Sequence, residues 1–556
     1  MLPCMADHDA LIATAQAWIA DDPDPQTVQE LTDLVAAVQS GDAAAAEELA
    51  DAFDGTLQFG TAGLRGKIGP GSNRMNRVVV ARAAAGLAAY LKDHGGKAVV
   101  VGYDARRNSD VFAHDTAQIM AGAGIRAMVF GEALPTPVLA FAIRELGCDA
   151  GVMVTASHNP PDDNGYKVYL GDGSQIVPPA DAEISACIAA VGAVADIPRS
   201  EDYLTLDETV LGSYIQRAVS ILGDGPRDVE SIYTAMHGVG GKVFMRAAEA
   251  AGFTAPQPVA EQFAPDGRFP TVHFPNPEEP GAMDLSLAAA RAHGADVIIA
   301  NDPDADRSSA GIPTADDWRM LSGDEVGSLL GWWIAERARR DNRELTGAYA
   351  ESIVSGTLLG RIAEDAGLEY ATTLTGFKWI SKVPDLIFGY EEALGYCVDP
   401  EAVKDKDGIT ASLLMLEMVA QLKSEGRGLQ DVLDDLARKF GLHATSQLSV
   451  RVTDITLIAD AMARLRANPP QQIGGHEVLR LDDLEQGGDG LPPTDGLRFT
   501  MDNARVIIRP SGTEPKLKCY LQVVVPVTGS IDDARAQAAA EMQAVRDSVA
   551  EALALG

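Results

Sequence analysis

The chain has 556 residues, with Lys+Arg 45 against Asp+Glu 80 and a formal net charge of −35 at pH 7. At roughly 150 residues per domain this length predicts three or four domains. A composition 46% hydrophobic and 22% charged excludes disorder throughout, because that much apolar side chain builds several cores. The acid excess argues against nucleic acid and anionic membrane surfaces as partners, since like charges repel. The 5 cysteines are scattered and form no C-x-x-C pair, which points to a reducing cytoplasm. No basic stretch followed by an apolar core opens the chain, so no secretory signal is expected. No apolar run approaches the roughly 18 residues of a membrane span.

In chain order, residues 1–50 read as Ala-rich helices broken at Asp21-Asp22-Pro23-Asp24-Pro25. A pattern then recurs: a short β-branched run stops in a loop of Gly, Asp, Ser, Arg or His. It occurs in VVVGYDARR from Val99, GVMVTASHN from Gly151, IYTAMHGVG from Ile232, VIIANDPDADR from Val297, LIFGYEEALG from Leu386 and VIIRPSGTEPK from Val506. Helix-like segments such as DLSLAAARAHGA from Asp284 separate most of these runs. Strands alternating with helices predict α/β layers, whose ligands sit beyond the carboxyl ends of the strands. From Ser446 onward, alternating strands and a Gly/Pro-rich turn predict an α+β domain. The seams fall near residues 205, 315 and 445, giving domains 1–205, 206–315, 316–445 and 446–556. From Ser530 a single amphipathic helix is predicted, with Ser530 and Asp533 in a capping-box pattern. Ile531, Ala534, Ala538, Met542, Val545, Val549 and Leu553 fall on its buried face.

Four loops carry candidate chemistry. In TASHNPPDDNGYKVY, Ser157 follows an apolar strand and precedes His158. A serine there is either a turn former or a nucleophile activated by a base, a metal or prior phosphorylation. Lys167 follows ten residues on and can anchor phosphate or move protons. In NDPDADR, Asp302, Asp304 and Asp306 alternate; they form either a solvated acidic turn or a hard-cation site for Mg²⁺ or Ca²⁺. An EF-hand fails, because its sixth and twelfth positions are Arg307 and Pro313. In GYEEALGY, Glu391 and Glu392 could accept from sugar hydroxyls or lie in an acidic turn. Thr375, Gly376, Phe377 and Lys378, with the Lys404–Asp407 loop, flank that segment and supply cations. In RPSGTEPK, Arg509, Ser511, Gly512, Thr513 and Lys516 are the inventory for a dianionic phosphate. GTAGLRGK near residue 60 is a weaker basic loop. The Gly122-x-Gly124-x-x-Ala127 match follows a helix-like segment, so a dinucleotide fingerprint is not expected, and no Walker A motif occurs.

As a set, TASHNP, NDPDADR, EEALG and RPSGTEPK, in that order, resemble the α-D-phosphohexomutase family, the phosphoglucomutases and phosphomannomutases. GTAGLRG, TAMHGVGG and FPNPEEPGAMDL are most similar to a subgroup of bacterial phosphoglucomutases, eukaryotic phosphopentomutases and glucose-1,6-bisphosphate synthases. The resemblance implies three related α/β domains of mixed sheets flanked by helices, followed by a TATA-binding-protein-like α+β domain, around a central cleft. It implies a phosphorylated Ser157 and Mg²⁺ held by Asp302, Asp304, Asp306 and the phosphoserine. Arg307 would contact the same phosphate, and Arg65 would lie near the transferring group. Thr375 to Lys378 and Glu391 would face the sugar, and the Arg509–Lys516 loop would hold the non-reacting phosphate. Lys167, Lys406 and His158, in that order, are the acid/base candidates.

The implied activity is a cytoplasmic mutase acting on a small sugar phosphate, glucose 1-phosphate to glucose 6-phosphate, with glucose 1,6-bisphosphate as activator and intermediate. The oligomeric state is left open. Two positions depart from relatives: Ala393 stands where many have serine, and Gly395 where some have histidine. The missing hydroxyl weakens hexose discrimination and leaves room for pentose phosphates, while a phosphomannomutase is a separate alternative. Glucose-1,6-bisphosphate synthesis is a further alternative. A serine-dependent metal phosphatase and a non-catalytic sugar-phosphate-binding protein are the competing classes. The first lacks a second metal cluster, and the second predicts a lost nucleophile or a broken metal loop.

Overall fold

The computed structural model describes residues 5–60, 63–452, 456–488, 490–511 and 516–553. They form two compact units, residues 1–320 with 396–417, and residues 321–395 with 418–556.

The first unit opens with the helices Met5–Asp21, Pro25–Gln39 and Ala43–Ala52. The Asp-Pro break works as a helix start: Asp24 accepts from the Gln26 N–H, and Pro25 follows where its missing N–H costs nothing. Leu31, Val35 and Leu49 pack with Val78 and Ala81 of the helix Arg77–Asp93, fixing the helical segment to the first sheet layer. That sheet comprises β1 (Leu64–Lys67), β2 (Ala98–Tyr103), β3 (Arg126–Phe130), β4 (Ala150–Val154), β5 (Asp163–Leu170) and β6 (Leu204–Leu206), in the order β1-β5-β4-β2-β3-β6. β4, β2, β3 and β6 run parallel; β5 pairs antiparallel with β4, and β1 pairs antiparallel with β5. β2 and β4 are buried along their whole length, as expected for strands covered by helices on both faces.

The unit's second sheet comprises β7 (Ser231–Thr234), β8 (Gln257–Pro258), β9 (Val297–Ala300), β10 (Ser309–Pro313) and β11 (Trp318–Met320), in the order β11-β10-β9-β7-β8. β9, β7 and β8 are parallel, and β10 turns back on β9.

In the second unit, β12 (Ala348–Ser352) lies between β13 (Glu369–Thr373) and β14 (Leu386–Glu391), all parallel. The strands Leu442–Arg451, Lys516–Val525, Ala504–Pro510, Leu497–Thr500 and Arg480–Asp483 follow as an antiparallel sheet in that spatial order. The closing helix Ile531–Leu553 covers one face of it. Ser530 Oγ accepts from the Asp533 N–H at 3.1 Å, and Ala534, Ala538, Val545, Val549 and Leu553 are buried. Met542, expected on the same stripe, is only partly buried at its edge. Among the described residues there are thus three α/β sheets and one α+β sheet, as the alternation of runs and loops predicts, beside a two-stranded ribbon of Gln472–Ile473 and His476–Glu477.

Candidate functional site

In the first unit the carboxyl ends of β4 and β9 bring Ser157 and the aspartates together. Ser157 is 2% exposed and has a left-handed backbone, φ 52°. Its Oγ donates to Asp302 Oδ2 at 2.8 Å and stands 3.2 Å from His158 Nδ1. One carboxylate oxygen each of Asp302, Asp304 and Asp306 lies within 4.8 Å of the others, and all three residues are fully buried. Asp304 Oδ1 and Asp306 Oδ1 have no hydrogen-bond partner among the described residues. Buried carboxylate oxygens of this kind, converging with orphaned acceptors, fit a hard divalent cation.

Cations already face the triad. Lys167 comes from β5, whose antiparallel register sets it beside Met153 of β4. Its Nζ donates to Asp304 Oδ2 at 2.7 Å and Asp306 Oδ2 at 3.0 Å. Burial works against its charge, but Asp304 and Asp306 outweigh burial and hold the ammonium above its ordinary range. Lys406 Nζ reaches Asp306 Oδ2 at 3.3 Å, and Arg307 Nε lies 3.9 Å from Asp306 Oδ1. Burial and its two acidic neighbours push the Asp302 carboxyl well above the carboxylate range. Against burial, Lys167 with Thr136 holds Asp304 low, and Lys167, Lys406 and Arg307 hold Asp306 low. His158 is driven well below its ordinary value by burial, then by Arg307 and Arg65. Arg65, on β1, donates to Asn159 Oδ1 at 3.2 Å. Gly63 at φ +83° admits this strand: a Cβ there would come within 1.9 Å of the Tyr166 carbonyl oxygen.

Thr136 lies outside every loop singled out from the sequence, and Asn301 and Asp405 lie inside two of them without an assigned role. Thr136 Oγ1 donates to Asp304 Oδ2 at 2.6 Å, and its N–H to the Asp304 carbonyl at 2.9 Å. Asp405 Oδ2 accepts from Tyr169 and Gln175 at 2.7 Å each, and its Oδ1 accepts from the Lys406 N–H. The buried Asp405 therefore turns the loop so that Lys406 faces Asp306. The Asn301 amide donates to the carbonyls of Arg307 (2.7 Å) and Gly408 (3.2 Å), while Tyr233 donates to its Oδ1 at 2.9 Å. The signal available was a polar side chain immediately after an apolar strand, as at Asn301; Thr136 and Asp405 carry no such mark.

In the second unit, β13, β12 and β14 end side by side, carrying respectively the Thr375 loop, the Ser352–Ser355 turn and Glu391. Arg509 donates to Thr375 Oγ1. Gly376 has φ +106° and opens the short helix Phe377–Ile380; Phe377 and Lys378 are buried. The Ser511 N–H bonds the Lys516 carbonyl at 2.9 Å, where the strands Ala504–Pro510 and Lys516–Val525 meet. Gly512 and Thr513 lie outside the described residues. Glu391 is half-buried. Glu392 turns inward: its Oε2 accepts from Ser352 (3.0 Å) and Ser355 (3.2 Å), and burial with Glu391 beside it raises its carboxyl to about 7.

Models of the phosphoglucomutase/phosphomannomutase family match almost end to end. The three alpha/beta/alpha domains match at residues 56–194, 213–313 and 322–440, and the C-terminal domain at 448–544. The "Probable phosphomannomutase" of Haemophilus influenzae is 48% identical over 456 residues, covering 80% of this chain and 92% of that protein. The phosphopentomutase of Homo sapiens is 34% identical over 569 residues, covering 92% and 91%. A phosphoglucomutase/phosphomannomutase family protein from Burkholderia thailandensis has the same fold, with TM-score 0.68, 21% identity and coverage of 89% and 97%. With all four domains matched and relatives aligned over most of their length, the chain belongs to the phosphoglucomutase/phosphomannomutase family and is an intramolecular phosphotransferase of that type.

Proposed function

We propose that the protein moves a phosphoryl group between the 1- and 6-positions of a hexose phosphate, converting glucose 1-phosphate to glucose 6-phosphate through a phosphorylated Ser157 and bound glucose 1,6-bisphosphate. The observation that carries this reading is Ser157 Oγ, held 2.8 Å from Asp302 at the edge of a buried carboxylate triad ringed by Lys167, Lys406 and Arg307. Phosphoryl transfer is mostly positioning and charge stabilisation, and this cluster supplies both. A sugar hydroxyl oxygen bonds to phosphorus, the bond from phosphorus to Ser157 Oγ breaks, and the hydroxyl proton passes to a base. The bisphosphate, reversed, then returns its other phosphoryl group to Ser157 Oγ. Asp302, Asp304 and Asp306, with a phosphoserine oxygen, would hold Mg²⁺, which when bound neutralises charge on the transferring group.

Lys167 is held charged and serves as proton donor to the oxygen that is released. Lys406 and the neutral His158 are the other acid/base candidates. Arg65 and Arg307 steady the transferring phosphate. Thr375, Gly376, Phe377, Lys378, Glu391 and Glu392 belong to the sugar-reading loops, and Arg509, Ser511, Gly512, Thr513 and Lys516 to the loop for the non-reacting phosphate. Pentose phosphate is the second reading, favoured by Ala393, which offers the sugar no hydroxyl.

Rates on glucose 1-phosphate, mannose 1-phosphate and ribose 1-phosphate, each with glucose 1,6-bisphosphate added, test the substrate. A preference of about tenfold for ribose, some 1.4 kcal/mol, would replace hexose by pentose. Intact mass tests the mechanism: about 80 Da on Ser157, exchanged by substrate and absent from Ser157→Ala, is expected. Mutase turnover by Ser157→Ala would overturn the phosphoserine route.

A further inference from the structure

From the geometry of the turn after β2 we infer that Arg106 is the positioning residue of the reactive-serine loop, a role that rests on Ser157 being the phosphoryl carrier. Arg106 is 3% exposed and spends its guanidinium on main-chain carbonyls. One terminal nitrogen donates to Pro160 (2.7 Å) and Asp163 (3.2 Å), and the other to Asn159 (2.7 Å) and to Ser157 itself. The bonded carbonyls run from Ser157 to Asp163, the first residue of β5. Its Nε faces Asp104 Oδ2 at 3.3 Å, and the Phe269 ring lies under the guanidinium at 4.9 Å.

Asp104 completes the clamp. Its Oδ2 accepts from Thr155 Oγ1 at 2.7 Å, and Thr155 Oγ1 in turn accepts from the Ser157 N–H at 2.9 Å. Its Oδ1 accepts from the Arg106 N–H and from Ser109 Oγ. Both the N–H and the carbonyl of Ser157 are therefore fixed by one Asp-Arg turn. This matters because Ser157 stands at φ 52°, a region non-glycine residues rarely hold unless their surroundings impose it. The clamp imposes it, and so aims Oγ at Asp302. Arg106 makes no bond to the triad. A lysine could keep the charge but could not span four carbonyls, because it lacks the planar fork.

The test compares wild type with Arg106→Lys and Arg106→Ala, measuring kcat, KM for glucose 1-phosphate, half-saturating Mg²⁺, melting temperature and phosphate on Ser157 by mass. A loop loosened by an ångström or so predicts a kcat loss of about 100-fold in Arg106→Lys. KM and half-saturating Mg²⁺ should stay within a few-fold, a split that a general loss of structure would not produce. An Arg106→Lys enzyme with kcat within threefold of wild type would overturn the role. If the arginine variants do not fold, Asp104→Asn, of the same shape, carries the test by the same readouts. Wild-type protein lacking phosphoserine and mutase turnover would instead sink the proposed function; wild type with both, beside an equally fast Arg106→Lys, would sink only the positioning role.

Discussion

Lys167 occupies a position that sets the electrostatics of the whole triad. Its Nζ donates hydrogen bonds to both Asp304 and Asp306, from a site 4% exposed. Removing one partner of a buried ion pair leaves charge without compensation, at a cost of about 3–5 kcal/mol. Lys167→Met should therefore melt well below wild type in chelator. A cation that binds the folded state alone stabilises it by mass action, and it gains most where the carboxylates have lost their ammonium. Adding Mg²⁺ should accordingly raise the melting temperature of Lys167→Met by more than that of wild type. Scanning calorimetry in EDTA and in MgCl₂ measures the difference, and equal gains would remove Lys167 as counter-ion to the triad. Mutase turnover of the wild type should disappear in EDTA and return with Mg²⁺.

Between elements, the decisive contacts are close approaches of backbone. The helix Gly408–Ser424 begins against the aspartate loop: a Cβ on Gly408 would lie 2.2 Å from the Arg307 carbonyl oxygen and 2.8 Å from that of Ala305. Neither oxygen is the far end of a flexible chain, so the loop itself must yield. Gly408→Ala should shift Asp306 and Arg307 and raise the Mg²⁺ needed for half-maximal activity by about tenfold, equivalent to some 1.4 kcal/mol. A metal titration of activity measures this, and an unchanged midpoint would show that the loop tolerates the methyl group. Such contacts explain how much could be read from sequence. The strand-end loops with Ser157 and Asp302 were legible because an apolar run ending in polar residues is a local signal. The closing helix was legible by its 3.6-residue stripe and Ser530. Arg106 bonds carbonyls more than fifty positions away, and Asp405 is claimed by Tyr169 and Gln175 across more than two hundred. No window of sequence holds both partners. The return of residues 396–417 to the first unit was equally hidden, because division into units follows packing rather than composition.

At the scale of the molecule, the net charge of −35 makes pH a lever on stability, and in the second unit a buried carboxyl adds to it. Glu351, on β12, is 1% exposed; it accepts from Tyr370 Oη, and its Oε2 has no hydrogen-bond partner among the described residues. Burial lifts its carboxyl from 4.5 to about 8, with Asp324 adding to the rise and Tyr370 and Arg505 opposing it. Glu392 is lifted in the same direction, to about 7, by burial and Glu391. A carboxyl raised on folding binds its proton more tightly folded than unfolded. Its folded state is unpenalised below about 4.5 and loses stability progressively as pH climbs toward 8, by up to about 1.4 kcal/mol per pH unit for one group. The surface acids add self-repulsion in the same direction. The unfolding transition of this unit should therefore move down in temperature between pH 5.5 and 8.5. Glu351→Gln, which keeps the shape but cannot ionise, should flatten that slope. The variant should differ least from wild type at pH 5.5 and exceed it increasingly toward pH 8, by about 2–4 °C for each kcal/mol. Melting curves of both proteins across that range decide it: parallel slopes would mean that Glu351 keeps its charge in the folded unit and that Arg505 and Tyr370 together outweigh its burial.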